Sequence, residues 1–248
     1  MYADAHIHLF DLATLAGEEP VIAPGSLVCA SSWRREEFEW HERYSLARPG
    51  SVFLSFGVHP QEPDEDELGY LTELVDGGRL SAVGECGFDR FTAEYRSQER
   101  RQRAVWDVQV DLARRAGLPL VVHCRKAMDL VFADAKRLSA LSAVVFHGWP
   151  GSPTEAASLL ARGVNAYFSA GKGLLRGDRS LAATVVSAPA ERLLAETDAP
   201  WMTLRGEARS EPADIAAVTE RIAALRCGEL NGTIELLRGN FRKAFSVS

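Results

Sequence analysis

Met1-Tyr2-Ala3-Asp4-Ala5-His6-Ile7-His8-Leu9 opens the chain and reads as a short β-strand prepared to hold metal. Side chains on a strand alternate between faces, so His6 and His8 share one face. Asp4 has the same parity and lies one step deeper, where a carboxylate could orient a ligating imidazole. The plain alternative is a pair of surface histidines near a frayed terminus, and two histidines alone do not decide between them. The rest of the chain does.

Beyond that stretch, apolar β-branched runs alternate with amphipathic segments. The pattern predicts strands over 2–8, 26–31, 51–58, 80–85, 118–123, 143–147, 164–169 and 193–197. Helices are expected over 34–46, 65–76, 95–116 and 127–138, with 179–187 filling the connection between the last two strands. Gly117 followed by Pro119 marks a helix end, and Ser152-Pro153-Thr154-Glu155 opens a helix with a capping box. From residue 212 onward the sequence reads as helix. Several strands are near-continuous apolar runs, as parallel strands covered on both faces require. Eight β-then-α repeats predict an α/β fold, a (β/α)8 TIM barrel in a single domain over 1–248.

The totals agree with that size and class. The 248 residues are 46% hydrophobic and 25% charged, the balance of a globular protein with a substantial core. No apolar run reaches the ~20 residues that cross a bilayer, and no signal peptide is visible, so a cytoplasmic protein without a membrane partner is expected. Cys29, Cys86, Cys124 and Cys227 lie far apart, which argues against a zinc ribbon. A net charge of −6 gives no general grip on nucleic acid, but bound cations would supply positive charge where a phosphate must sit.

The ionisable residues gather once the strands are drawn. His6, His8, His59, Glu85, His123, His147 and Asp198 each fall at or just past the carboxyl end of a predicted strand, the face where this fold builds its chemistry. Five of the six histidines take part. Nitrogen and carboxylate donors without thiolate suit zinc, manganese or magnesium. Two divalent ions fit the count: His6, His8 and Asp198 for the first, His123 and His147 for the second, Glu85 bridging. Singly, a buried histidine is a satisfied core group and Asp198 a helix cap; the joint pattern favours metal.

Six ordered segments carry a resemblance: Asp4-Ala5-His6-Ile7-His8, Gly57-Val58-His59-Pro60, Gly84-Glu85-Cys86-Gly87-Phe88-Asp89, Val122-His123-Cys124-Arg125, His147-Gly148-Trp149-Pro150-Gly151-Ser152 and Glu196-Thr197-Asp198-Ala199-Pro200-Trp201. Together they resemble the TatD-type metal-dependent deoxyribonucleases of the amidohydrolase superfamily, and Gly239-Asn240-Phe241-Arg242 looks like that family's closing helix. The resemblance implies a TIM barrel, metal ligands at His6, His8, Glu85, His123, His147 and Asp198, and phosphodiester hydrolysis, often as a 3′-to-5′ exonuclease on DNA. It departs after strand 6, where the family's His-Cys-Phe-Ser-Gly is here His147-Gly148-Trp149-Pro150-Gly151, a change that bears on substrate preference.

On this reading a metal-activated water attacks phosphorus in line, Asp198 takes its proton, and Glu85 joins it in catalysis. His59 either touches the phosphate, or protonates the leaving oxygen, or is simply a turn histidine. Arg125 is either a phosphate fork or a surface ion-pair partner. Lys172 in its Gly-Lys-Gly turn is a second candidate phosphate contact. Trp149 and Trp201 either stack on bases or pack the rim. Arg90, Arg96, Arg100, Arg101 and Arg103 either steer a backbone or form a solvated helix face. Cys86 and Cys124 are expected to pack the barrel, and His41 to lie at the surface. DNA or another phosphodiester is the expected partner and a monomer the expected state. The main rival is an amidohydrolase acting on a small ester, lactone or amide. Many of those bridge their metals with a carboxylated lysine, and Glu85 at that position argues against them.

Overall fold

The computed structural model describes residues 1–247. The predicted apolar runs form β1 (Ala3–Ile7), β2 (Leu27–Ser32), β3 (Val52–Phe56), β4 (Ala82–Asp89), β5 (Leu120–Arg125), β6 (Val144–Phe146), β7 (Ala166–Ala170) and β8 (Leu193–Ala195). They lie parallel in one sheet in chain order. Hydrogen bonds from Asp198 N–H to the His6 carbonyl (3.0 Å) and from His8 N–H to the Ala199 carbonyl (2.8 Å) draw its two edges together. The expected TIM-barrel class is therefore the observed one.

Around the sheet run α1 (Leu9–Ala16), α2 (Arg35–Leu46), α3 (Glu67–Asp76), α4 (Ala93–Ser97), α5 (Glu99–Ala116), α6 (Met128–Ala133), α7 (Ala135–Leu138), α8 (Pro153–Ala161), α9 (Arg179–Ser187), α10 (Ile215–Leu225) and α11 (Leu230–Ala244). The capping box at Ser152 and Glu155 forms as expected. The segment 95–116 is not one helix but two. Buried Gln102 fills the break, donating to the Tyr95 and Asp89 carbonyls and accepting from Asp89 N–H. The segment 127–138 breaks likewise at Asp134, whose carboxylate accepts from Trp106 Nε1 at 2.6 Å.

Two cores result. The larger lies between strands and helices and includes Cys86 and Cys124, which pack as expected. The smaller collects Cys29, Ala82, Val121, Val145, Tyr167 and Leu194 with Phe241, Ala244 and Phe245 of α11. Because nearly every strand contributes to this second group, it is the barrel interior, closed at its amino-terminal end by α11. His41 corrects the surface expectation. It is fully buried, its Nε2 accepts from Phe10 N–H at 3.0 Å, and its Nδ1 lies 2.6 Å from Ser32 Oγ. Burial presses its pKa down to about 3, so it is a neutral tie between α1, β2 and α2. No helix among the described residues is long and apolar enough to cross a membrane.

Candidate metal centre

His6 lies on β1 and His8 just past its end at the start of α1, and their Nε2 atoms stand 3.1 Å apart. Asp4 does not reach an imidazole as expected. Its carboxylate accepts from Thr197 N–H (3.0 Å), Thr197 Oγ1 (2.6 Å) and His6 N–H (3.2 Å), tying β1 to the loop after β8. That loop turns at Asp198, whose φ of +55° is in the left-handed region that aspartate tolerates better than most residues. Asp198 Oδ1 comes to 3.4 Å from His8 Nε2 and 3.7 Å from His6 Nε2.

Glu85 sits between two glycines for a steric reason. A Cβ on Gly84 would lie 2.4 Å from the Val121 carbonyl oxygen, and one on Gly87 would lie 2.0 Å from that of His123. Only glycine lets β4 press this close to β5. The Glu85 carboxylate then meets His6 Nε2 at 3.1 Å, His147 Nε2 at 2.8 Å, His123 Nδ1 at 2.6 Å and His59 Nε2 at 3.2 Å. Three groups result: His6–His8–Asp198, His6–Glu85–His147 and His59–Glu85–His123. His59 thus stands among these donor atoms, where the sequence left it a phosphate contact, a proton donor or a turn histidine.

Donor atoms about 2.1 Å from one ion stand roughly 3.0–3.4 Å apart in tetrahedral or octahedral sites. The His6–His8, His6–Glu85 and His8–Asp198 pairs meet that spacing, with longer separations of 3.7 Å from His6 to Asp198 and 3.8 Å from His8 to Glu85. Bare nitrogens facing one another in a buried pocket otherwise lack enough protons to satisfy them. The arrangement therefore fits divalent metal.

The electrostatics of this cluster are strongly coupled. Burial opposes charge on Glu85, but the His147, His59 and His6 imidazoles together hold its pKa well below the usual carboxylate range. Burial also disfavours charged His8, yet the Asp198 and Glu85 carboxylates lift it to about 9. His147 is likewise raised by Glu85 and Glu196 against burial. His6 and His59 are lowered, chiefly by burial.

Three supporting residues escaped the sequence reading. Asp89 is fully buried and accepts from Gln61 Nε2 (2.8 Å) and Phe91 N–H (2.7 Å), with His123 Nε2 at 3.1 Å. Glu196 accepts Gly148 N–H at 2.6 Å and stands 3.6 Å from His147 Nδ1. Gln109 clasps Val58 through both its backbone groups and so fixes the loop bearing His59. One signal was available. Gln102 and Gln109 are seven residues apart on the apolar face of α5, where a glutamine needs a buried partner.

The outlying candidates divide. Arg125 is exposed at the end of β5, 3.8 Å from Asp89 Oδ2, and Trp201 is 51% exposed beside Asp198. Lys172 is fully buried, its ammonium bound by Glu207 (2.5 Å) and Asp214 (2.6 Å), so it braces the barrel rim and is not free to hold a phosphate. Trp149 is 2% exposed, its ring against Phe146 and Phe168 and its Nε1 donating to Thr184, so it packs and has no open face for a base. The altered loop that carries it walls a cavity of about 320 Å³ together with Gly173, Arg176 and Met202.

Comparison with known proteins decides the family. The family model described as TatD related DNase matches residues 3–246. The chain belongs to the TatD family. A 3′-5′ ssDNA/RNA exonuclease TatD from Erwinia tasmaniensis is 31% identical over 224 residues, covering 84% of this chain and 85% of that one. The solved structure of YjjV, a TatD homologue from Escherichia coli K12, superposes with a TM-score of 0.82 at 24% identity, covering 100% of this chain and 98% of that one. A lactonase from Listeria monocytogenes shares the fold with a TM-score of 0.60 at 11% identity, covering 100% of this chain and 95% of that one. This TatD protein is thus a metal-dependent hydrolase by family, and the histidine–carboxylate groups above are its candidate metal centre.

Proposed function

We propose that the chain removes nucleotides from the 3′ end of single-stranded DNA or RNA, using two divalent cations held by His6, His8, Glu85, His123, His147 and Asp198. The observation that carries this is Glu85, whose one carboxylate is shared by two of the three donor groups. Cations bound there would acidify an attacking water and neutralise charge on the phosphoryl oxygens. Asp198, at the mouth of the first group, takes the proton of the attacking water. His59 faces the same space from the loop after β3 and is placed to donate toward the leaving oxygen. Arg125 at the rim pairs with a neighbouring phosphate. Manganese, magnesium and zinc all accept this donor set.

The test is hydrolysis of a 5′-labelled single-stranded oligonucleotide, with bis-p-nitrophenyl phosphate alongside. Both are run metal-stripped, then with magnesium, manganese or zinc restored, with metal content counted. A ladder shortening from the 3′ end, dependent on metal and blocked by a 3′-phosphate, is the expected result. Metal-loaded protein that cleaves neither substrate would overturn the proposal.

A further inference from the structure

The carboxyl ends of β4 and β5 carry a second feature beside the metal centre. Phe91, two residues past β4, is 48% exposed. The guanidinium of Arg125 lies 4.0 Å from its ring centroid and the ammonium of Lys126 lies 4.8 Å from it. Three side chains from two strand ends thus form one aromatic and cationic cluster on the catalytic face.

Their charge is not already spent. Neighbouring Arg90 is bound by Glu99 (2.7 Å) and Asp129 (2.8 Å), and Arg103 by Asp134. Lys126, by contrast, has no ion-pair partner among the described residues, and Arg125 meets only Asp89, at 3.8 Å. On a chain of net charge −6, two such cations are thus held over one half-exposed ring. Asp89 also joins the cluster to the centre: it accepts Phe91 N–H at 2.7 Å while its Oδ2 lies 3.1 Å from His123 Nε2.

We infer that Phe91, Arg125 and Lys126 form the platform that holds the single strand next to the bond being cut, a base stacking on the ring or guanidinium while the two cations take backbone phosphates. This rests on the nuclease reading above and adds to it what selects a polynucleotide over a small diester. Every base has a flat face, so the platform is indifferent to sequence. DNA and RNA strands present the same chemistry here, and matched oligonucleotides of each separate the two.

The test compares Phe91→Leu, Phe91→Trp and Lys126→Ala in the metal-loaded enzyme. Substrates are single-stranded DNA, single-stranded RNA and bis-p-nitrophenyl phosphate. Phe91→Leu is expected to lower kcat/KM on the oligonucleotide by about tenfold relative to the small diester, and Phe91→Trp to restore it. Lys126→Ala should reduce the salt slope of oligonucleotide binding by about one. Equal losses on oligonucleotide and small diester, equal losses in the leucine and tryptophan variants, or an unchanged oligonucleotide rate in Phe91→Leu would overturn the platform. Wild-type protein that spares both nucleic acids would instead remove the nuclease reading.

Discussion

His123 Nε2 lies 3.1 Å from Asp89 Oδ2. On the other edge of the same ring, Nδ1 lies 2.6 Å from Glu85 Oε1, so two carboxylates fix this imidazole. A carboxylate behind a ligating histidine sets its tautomer and raises its basicity. Asp89→Asn keeps an acceptor for Phe91 N–H but removes the charge. It should weaken metal binding by about 10–100-fold, read by calorimetric titration of stripped protein. Equal affinities would show that Asp89 only shapes the loop.

Glu85→Ala removes the group common to two of the three donor sets. Metal-dependent turnover should fall by at least about 10³-fold, with circular dichroism near that of the parent. Undiminished metal content in the variant would count against a bridging role.

Protons and metal compete for the same nitrogens. In metal-free protein, despite burial, the Asp198 and Glu85 carboxylates push the His8 pKa up to about 9 from its ordinary 6.5, so its protonation stabilises the fold fully below about pH 6.5. That contribution is lost as pH rises through about 9. His147 is raised as well and acts in the same direction. The Tm of stripped protein should therefore fall between these limits, while metal affinity rises and metal binding at pH 7 releases protons. Calorimetry in two buffers of different ionisation enthalpy reads the proton count directly.

Gly87→Ala should be far more damaging than an ordinary strand substitution. Its Cβ would be driven to 2.0 Å from the His123 carbonyl oxygen, at a φ of +143° that only glycine adopts freely. Loss of folding yield and of metal content together is the expected outcome, and a normal Tm would refute it.

Trp149→Ala should act on stability before substrate choice. The ring is buried against Phe146 and Phe168, and truncating it costs about 3–5 kcal/mol. Chemical denaturation should show that loss, with the preference between DNA and RNA unchanged in the folded fraction.

The barrel and the donor residues were legible because both are written in local spacing. His6 and His8 two apart, glycines around Glu85, and apolar runs ending in His123 and His147 all announce themselves within a few residues. What could not be read depends on partners far away in the chain. His41 sits in a charged segment, yet Phe10 is 31 residues distant and draws it inside. Lys172 invites a phosphate until Glu207 and Asp214, 35 and 42 residues on, close over it. Asp89 lay inside a quoted motif, but only the pairing of β4 with β5, which sets Gly87 beside His123, brings it behind that ring.

The join between β1 and the loop after β8 has a consequence for the timing of activity. His6 and His8 leave the ribosome ahead of Asp198, which completes their group and follows 190 residues after His8. Asp4 likewise waits for Thr197, 193 positions on. A growing chain therefore cannot assemble that group until the segment through Asp198 has been made. The hydrolase thus lacks that complete group until β1 and the loop after β8 have met.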